Sequence, residues 1–260
     1  MARDELRTLA KGLAVIEAFD ATHPEMTLSD VARRTAISPG SAQRILRTLA
    51  SLGYVGSDGL RFSLRPRALQ LGYAYLSSLP LAAVAQPLLS SLTAQLEGSC
   101  SLALLDGDAV VYVARASARR LARDYMSIGT RMPAHATSVG KVLLAALSPD
   151  AVDAVLAHAT LEQLTPNTLC KPDAIRAAVR QAAVAGYAIN DQETIMGLRS
   201  IAVPVVSDGR VIAALGASAE VVHTTLATME GEWLRSLRAT TADFASALSA
   251  RETPSYAYRR

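Results

Sequence analysis

The feature that most constrains this 260-residue chain is a run of helix punctuation between Thr27 and Gly53. Thr27-Leu28-Ser29-Asp30 sets a hydroxyl three residues ahead of an acid. In that arrangement side chain and backbone cap each other at a helix start, here with Asp in place of the usual Glu. The spacing predicts a short helix from Leu28 to Arg34 with Leu28, Val31 and Ala32 inward. Thr35-Ala36-Ile37-Ser38 breaks it; Ser38 suits an N-cap and Pro39 the first helical position. A second helix is expected from Pro39 to Leu52, with Ala42, Ile45, Leu46 and Leu49 as its buried stripe and Gly53 as its stop. That leaves Gly40, Ser41, Gln43, Arg44 and Arg47 on the opposite face.

The flanks complete a winged helix-turn-helix. Leu6, Leu9, Leu13, Ile16 and Phe19 predict a preceding amphipathic helix that ends near 22–24. Tyr54-Val55 and Leu60–Leu64 flank Ser57-Asp58-Gly59, a hairpin signal. A recognition helix lays its N-terminal residues against base edges in the major groove. Gly40 and Ser41 would let the backbone approach, Gln43 suits adenine and Arg44 suits guanine. Arg47 and Arg61 suit phosphates, and Thr27, Ser38 and Pro39, at the helix starts, complete the expected DNA-facing set. The same spacing also fits a small helical domain that docks on protein and leaves its arginines solvated. Charge favours DNA. Residues 1–67 hold ten Lys and Arg against seven Asp and Glu, while the rest of the chain holds 16 of each.

Composition narrows the remaining classes. Half the residues are hydrophobic and 19% are charged, enough for a large core; aromatics are only 5%, which argues against a base-stacking platform for single strands. No run of 18 apolar residues is present, and the N-terminus has no signal-peptide pattern, so cytoplasm without membrane attachment is expected. Cys100 and Cys170 form neither a disulfide framework nor a zinc spacing, and His23, His158 and His223 are scattered without acidic partners at metal spacing. Neither a metal nor a cofactor is expected. An enzyme using Ser138 or Cys170 with His135 would be the rival class, but no GxSxG elbow is present and no acid is placed to orient the histidine.

The remainder of the chain mixes helices and hairpins. Pro66–Leu79 reads as a helix apolar on more than one side, which calls for a covering partner. Leu81–Leu96, Ala136–Leu147, Asp150–His158, Pro172–Ala185 and Leu226–Leu248 read as helices. Cys100–Leu105 and Ala109–Ala114 flank Asp106-Gly107-Asp108; Ser200–Val206 and Val211–Ala217 flank Ser207-Asp208-Gly209; Gly186–Asn190 adds a further strand. The fold class is therefore α+β, an antiparallel sheet with helices packed on it. Within it, Gly129–Lys141 puts small polar residues before a helix, whose free amides suit an anion. Arg131 or a hydroxyl from Thr137 or Ser138 would help to hold a carboxylate, and His135 is the only histidine inside a motif. Equally, Thr137 or Ser138 would simply cap the helix while Arg131 stays solvated.

The strings GLAVIEAF and LSDVARRTAISPGSAQRILRTLASLGYV resemble the N-terminal domain of IclR-type regulators. IGTRMPAHATSVGKVLLAAL and GYAINDQETIMGLRSIAVPV resemble the effector domain of the same family, and the likeness extends to about Leu248. Shorter strings, LGYAYLSSLPL, LDGDAVVYVAR and LTPNTL, are similar to the branch governing aromatic-acid catabolism through protocatechuate, 4-hydroxybenzoate and β-ketoadipate, the Pca and Pob regulators. The resemblance implies a winged helix-turn-helix over 1–65, a linker helix over 66–80 and a GAF-like effector domain over 81–250; the residues RETPSYAYRR, 251–260, read as a disordered tail. It implies a homodimer or tetramer on double-stranded operator DNA, a small organic-acid effector and, for an activator, RNA polymerase as a partner. Carried over from the family's pockets, Ser138, Val139, Asn190, Ser200, Gly216 and Ser218 are pocket positions. Some relatives carry Ser where Gly216 stands, and often an acid where Asn190 stands. Those two differences imply a roomier, less acidic pocket suited to a ring or a longer carboxylate. Tyr112, Arg115 and Met126 are candidates for its other side.

Overall fold

The computed structural model describes residues 6–117 and 126–249. One compact unit ends at Leu76 and a second begins at Ser77, inside the stretch expected as a linker. The expected tail, 251–260, lies outside the described residues.

The first unit comprises α1 (Arg7–Glu17), β1 (Glu25–Thr27), α2 (Leu28–Thr35), α3 (Pro39–Ser51), β2 (Val55–Ser57) and β3 (Arg61–Leu64). The capping box forms in both directions. Asp30 N–H donates to Thr27 Oγ1 at 3.2 Å, and Thr27 N–H donates to Asp30 Oδ2 at 3.1 Å. Val31, Ala42, Leu46 and Met26 close the core between the helices and a three-stranded antiparallel sheet of order β1-β3-β2. Strand β1 was not legible, because three residues are too few to show alternation. Helix α1 ends at Glu17, short of the expected 22–24, because the Asp20 carboxylate takes the next free amides, Thr22 N–H and His23 N–H, both at 2.8 Å. Its expected apolar stripe is also corrected. Leu6, Leu9 and Leu13 stay exposed, while Ile16 and Phe19 join the core as expected, together with Val15.

Pro66–Ala68 forms a single 3₁₀ turn before α4 (Leu69–Ser77), none of whose side chains is buried. Leu69, Leu71, Tyr73 and Tyr75 are all exposed. No single helix among the described residues is long and apolar enough to cross a membrane.

The second unit is built on a six-stranded antiparallel sheet of order β6-β5-β4-β9-β8-β7. Its elements are α5 (Pro80–Leu96), β4 (Ser99–Asp106), β5 (Ala109–Ser117), β6 (Arg131–Pro133), α6 (Ser138–Ala145), α7 (Pro149–His158), α8 (Pro172–Ala185), β7 (Ala188–Asp191), β8 (Leu198–Ser207) and β9 (Arg210–Glu220). Alternation along the strands separates two faces. Ala103, Ala202 and Ala214 join α6, α7 and α8 in one core, while Leu102, Ile201 and Leu215, between them in register, point the other way. Small residues on the first face let α6 sit low on the sheet. Gly140 shows how low: a Cβ there would lie 2.1 Å from the Ala134 carbonyl oxygen.

Three boundaries differ from expectation in this unit. Arg131–Pro133 is an edge strand paired with β5. The helix predicted over Ala136–Leu147 is a 3₁₀ turn, Ala134–Ala136, followed by the shorter α6. The last predicted helix is interrupted: α9 (Leu226–Thr228) and α10 (Leu234–Ser249) flank a π-helical turn, Met229–Trp233, that buries both of its end residues.

Candidate functional site

The face of α3 opposite the core is open. Gln43, Arg44 and Arg47 are exposed, and the space around the α-carbon of Gly40 holds nothing within 4 Å of where a Cβ would stand. Arg44, Arg47 and Arg61 make no side-chain hydrogen bond or ion pair with another described residue. Their neighbours Arg33 and Arg34 are held by Asp30 and Asp20, at 2.7 and 2.8 Å. Arg67 is likewise engaged, donating to the Leu52 carbonyl at 2.6 Å and lying over the Tyr54 ring. Two of the expected DNA-facing hydroxyls are engaged in local bonds. The Thr27 hydroxyl is used up in the capping box, donating to Asp30 Oδ2 at 2.7 Å. Ser38 stands at the N-cap of α3 but makes no side-chain cap; its hydroxyl donates to Ser41 Oγ at 3.1 Å. Pro39 follows at the first helical position and is exposed.

In the second unit a narrow cavity lies between the sheet and the N-terminus of α6. Thr137, Ser138 and Val139 from α6 form one wall, and Ser101, Ser200, Gly216 and Ser218 from β4, β8 and β9 form the floor. Asn190, Thr194, Ile195 and Leu198 close one end; Tyr112, Met126 and Met132 close the other. Its polar groups are bonded to one another. Thr137 Oγ1 caps α6 by accepting Gly140 N–H at 2.9 Å. Ser138 and Ser200 share a hydroxyl–hydroxyl bond of 2.8 Å. The Asn190 amide donates to the Ala136 carbonyl at 2.7 Å and to Thr194 Oγ1 at 3.2 Å, and accepts Glu193 N–H at 2.9 Å. The amide protons thus point where an acid would need to accept.

Behind this wall Lys141 and Glu193 form a buried ion pair, with 5% and 10% of their side chains exposed. Lys141 also donates to the Ile189 carbonyl at 3.3 Å, while Glu193 Oε2 has no hydrogen-bond partner among the described residues. Burial pushes the Glu193 carboxyl up from its ordinary value, against the pull of Lys141. Burial also pushes the Tyr112 phenol up to about 12, so it stays protonated and able to donate. The Cys100 thiol, pushed up by burial to about 11, is inert.

Six carried-over positions, Ser138, Val139, Asn190, Ser200, Gly216 and Ser218, share this cavity with Thr137, Tyr112 and Met126. Three other candidates, Arg131, His135 and Arg115, do not line it. Arg131 lies on edge strand β6, where successive side chains face opposite ways; Met132 takes the cavity side and Arg131 turns out, half exposed, into an ion pair with Asp106. His135 is buried in the 3₁₀ turn without lining the cavity; its Nε2 has no hydrogen-bond partner among the described residues, and burial lowers its pKa, which keeps it neutral. Arg115 pairs in register with Ser101 and reaches Ser99 Oγ at 3.4 Å, beside the cavity wall. The roomier pocket expected from Gly216 is corrected as well. A Cβ on Gly216 would come within 2.8 Å of Val139 Cγ1, so Val139 already occupies the space. The free volume is about 20 Å³, room for a water or so; a cavity of roughly 150 Å³ is what accommodates benzene. Sequence reasoning missed Ser101, Met132, Thr194, Ile195, Leu198 and Ala217. The serines had a signal, since Ser99 and Ser101 are two apart on one strand, but only strand register aligns them with Ser218 and Gly216.

Comparison with known proteins decides the family. The IclR helix-turn-helix domain matches residues 8–59, and the bacterial transcriptional regulator IclR C-terminal domain matches residues 73–249. The chain belongs to the IclR family of transcriptional regulators. Its relatives include the Pca regulon regulatory protein of Pseudomonas putida, 41% identical over 92% of this chain and 83% of that protein. The p-hydroxybenzoate hydroxylase transcriptional activator of Acinetobacter baylyi is 38% identical over 82% of this chain and 80% of its own length. Among solved structures, an IclR homolog from Microbacterium hydrocarbonoxydans complexed with 4-hydroxybenzoate superposes with a TM-score of 0.78 at 28% identity. That match covers 94% of this IclR-family chain and 99% of the other. As in its family, a helix-turn-helix precedes an effector-binding domain.

Proposed function

We propose that this IclR-family regulator binds operator DNA through α3 and its wing, and is switched by a small aromatic carboxylic acid of the protocatechuate and 4-hydroxybenzoate class, so controlling genes of aromatic-acid catabolism in the cytoplasm. The observation that carries the effector half is the cavity itself: helix amides and hydroxyls at the N-terminus of α6, facing apolar Met126, Met132, Ile195 and Leu198. A carboxylate would take the α6 amides and the Ser138 and Ser200 hydroxyls, and a ring would take the apolar end. The relatives named for 4-hydroxybenzoate and Pca control support that chemistry. For the DNA half, three unpaired arginines on and beside α3 offer one base-reading and two phosphate-facing cations. Exposed Leu69, Leu71, Tyr73 and Tyr75 on α4 support a dimer, which would present two recognition helices to a symmetric site.

The cavity is too small for a ring, so binding would select an arrangement in which the 190–198 loop stands further out while α6 keeps its seat on the sheet. The effector then biases a pre-existing equilibrium, with a coupling of about 1–3 kcal/mol between cavity and DNA face. Thermal unfolding against a panel of aromatic and dicarboxylic acids tests the reading. A cognate acid at a hundredfold excess over its dissociation constant should stabilise the protein by about 2.7 kcal/mol. If no aromatic acid shifts the transition while an aliphatic dicarboxylate does, the effector class is β-ketoadipate-like. If no acid acts, the effector reading falls and the DNA reading stands alone.

A further inference from the structure

The narrowness of the cavity comes down to one contact. Val139 is 2% exposed, and its Cγ1 stands 2.8 Å from where a Cβ on Gly216 would be. Neither partner gives way cheaply. In a helix a β-branched side chain is confined almost entirely to one χ1 rotamer, so Val139 cannot swing aside cheaply. Its helix cannot rise easily either, because the next residue, Gly140, is seated against the backbone of Ala134. Below, Gly216 lies in the middle of the sheet, paired with Ser101 on one side and Ala202 on the other. The Ile201 carbonyl oxygen and Ser101 Oγ lie 3.6 and 3.7 Å from the same hypothetical Cβ. The floor is therefore fixed by backbone and the ceiling by one isopropyl group.

We infer that Val139 and Gly216 are a matched pair that sets the size of the effector: the glycine gives the clearance that the valine needs, and the valine limits ring substituents on that side of the cavity. This rests on the aromatic-acid reading above. Removing Val139 Cγ1 and Cγ2 opens space directly over bare backbone, where a substituent on a ring can enter. Adding a methyl at 216 drives Val139 toward the ligand and closes the slot. Because both effects pass through the same contact, they cancel when combined. Two residues that acted on the ligand independently of each other would instead give additive changes.

The experiment measures dissociation constants by calorimetry for benzoate, 4-hydroxybenzoate, 3,4-dihydroxybenzoate and 4-hydroxy-3-methoxybenzoate. The proteins are full-length wild type, Val139→Ala, Gly216→Ala and the double variant. Val139→Ala should improve the methoxy acid relative to 4-hydroxybenzoate by at least tenfold. Gly216→Ala should weaken every ring acid by at least tenfold, most strongly the substituted ones. The double variant should recover to within a few-fold of wild type. Should Gly216→Ala fail to fold, the size preference of Val139→Ala decides alone. Equal changes for all four acids in Val139→Ala, or losses that add in the double variant, overturn the pairing while leaving the effector assignment intact. A wild-type protein that binds none of the four overturns both.

Discussion

Arg44 and Lys141 are both cations near the start of a helix, and the two units use them in opposite ways. Arg44 lies on the outer face of α3, exposed and free of side-chain partners among the described residues. Lys141 lies within α6 with 4% of its surface exposed, paired to Glu193 and bonded to the Ile189 carbonyl. The first unit keeps its core to a single apolar cluster and leaves the cations of α3 and the wing outside, where a partner can reach them. The second unit takes charge and hydroxyls inside and satisfies nearly all of them there. The consequence is a difference in what a substitution costs. Changing an outer arginine should alter binding and spare the fold; changing an inner residue should cost the fold first.

The sharpest break of that comparison is Gly140→Ala. In an ordinary exposed helix this change gains up to about 1 kcal/mol. Here the new methyl meets the Ala134 backbone, and we expect a loss above about 4 kcal/mol, read by denaturant unfolding. A neutral or stabilising result would mean that α6 is not seated as described.

Lys141→Met should cost about 3–5 kcal/mol at pH 8, because it leaves the Glu193 carboxylate buried without its cation. The sign of its pH dependence follows from Glu193. Burial already raises that carboxyl, and without Lys141 its strongest opposing influence is gone. A carboxyl raised in the folded state favours folding when protonated. The deficit should therefore shrink as pH falls through the folded value of Glu193 and grow as pH rises above it. A deficit that stays constant between pH 5 and pH 8 would show that Glu193 does not bear the loss.

Arg44→Ala should leave the unfolding transition in place while lowering discrimination at one base pair by roughly ten- to hundredfold. Arg47→Ala should instead weaken all sequences alike and reduce the salt slope by about one, measured by binding across a salt series. Identical behaviour of the two variants would remove the division into base and phosphate contacts. The smallest effect is expected from Thr27→Ala, about 1 kcal/mol on the transition of the first unit, with the effector response unchanged.

The helix-turn-helix was legible because its signals are local. Thr27 with Asp30, the Ser38-Pro39 start and the stripe Ala42, Ile45, Leu46 and Leu49 each lie within one or two turns, and all four stripe residues are buried. What failed in that unit depended on neighbours remote in sequence. Leu6, Leu9 and Leu13 have the right period for a buried face, but no other part of the unit comes to cover them. In the second unit the hairpins at Asp106–Asp108 and Ser207–Gly209 were equally local and equally readable. The cavity was only partly so. A family resemblance supplied six of its positions, yet neither composition nor period could have joined Ser101 to Gly216, or turned Arg131 out and Met132 in.

By itself, then, the sequence determined most of the elements, the fold class and the family, since each is written in patterns of contiguous residues. Only the tertiary structure decided which polar groups face one another and how much space is left between them. Those quantities depend on strand register and on the seat of α6 against the sheet, where a single residue's shift reverses a side chain and a single methyl fills the gap. The cavity's size is thus a property of Val139 over Gly216, two residues far apart in the chain that only the folded sheet brings into contact.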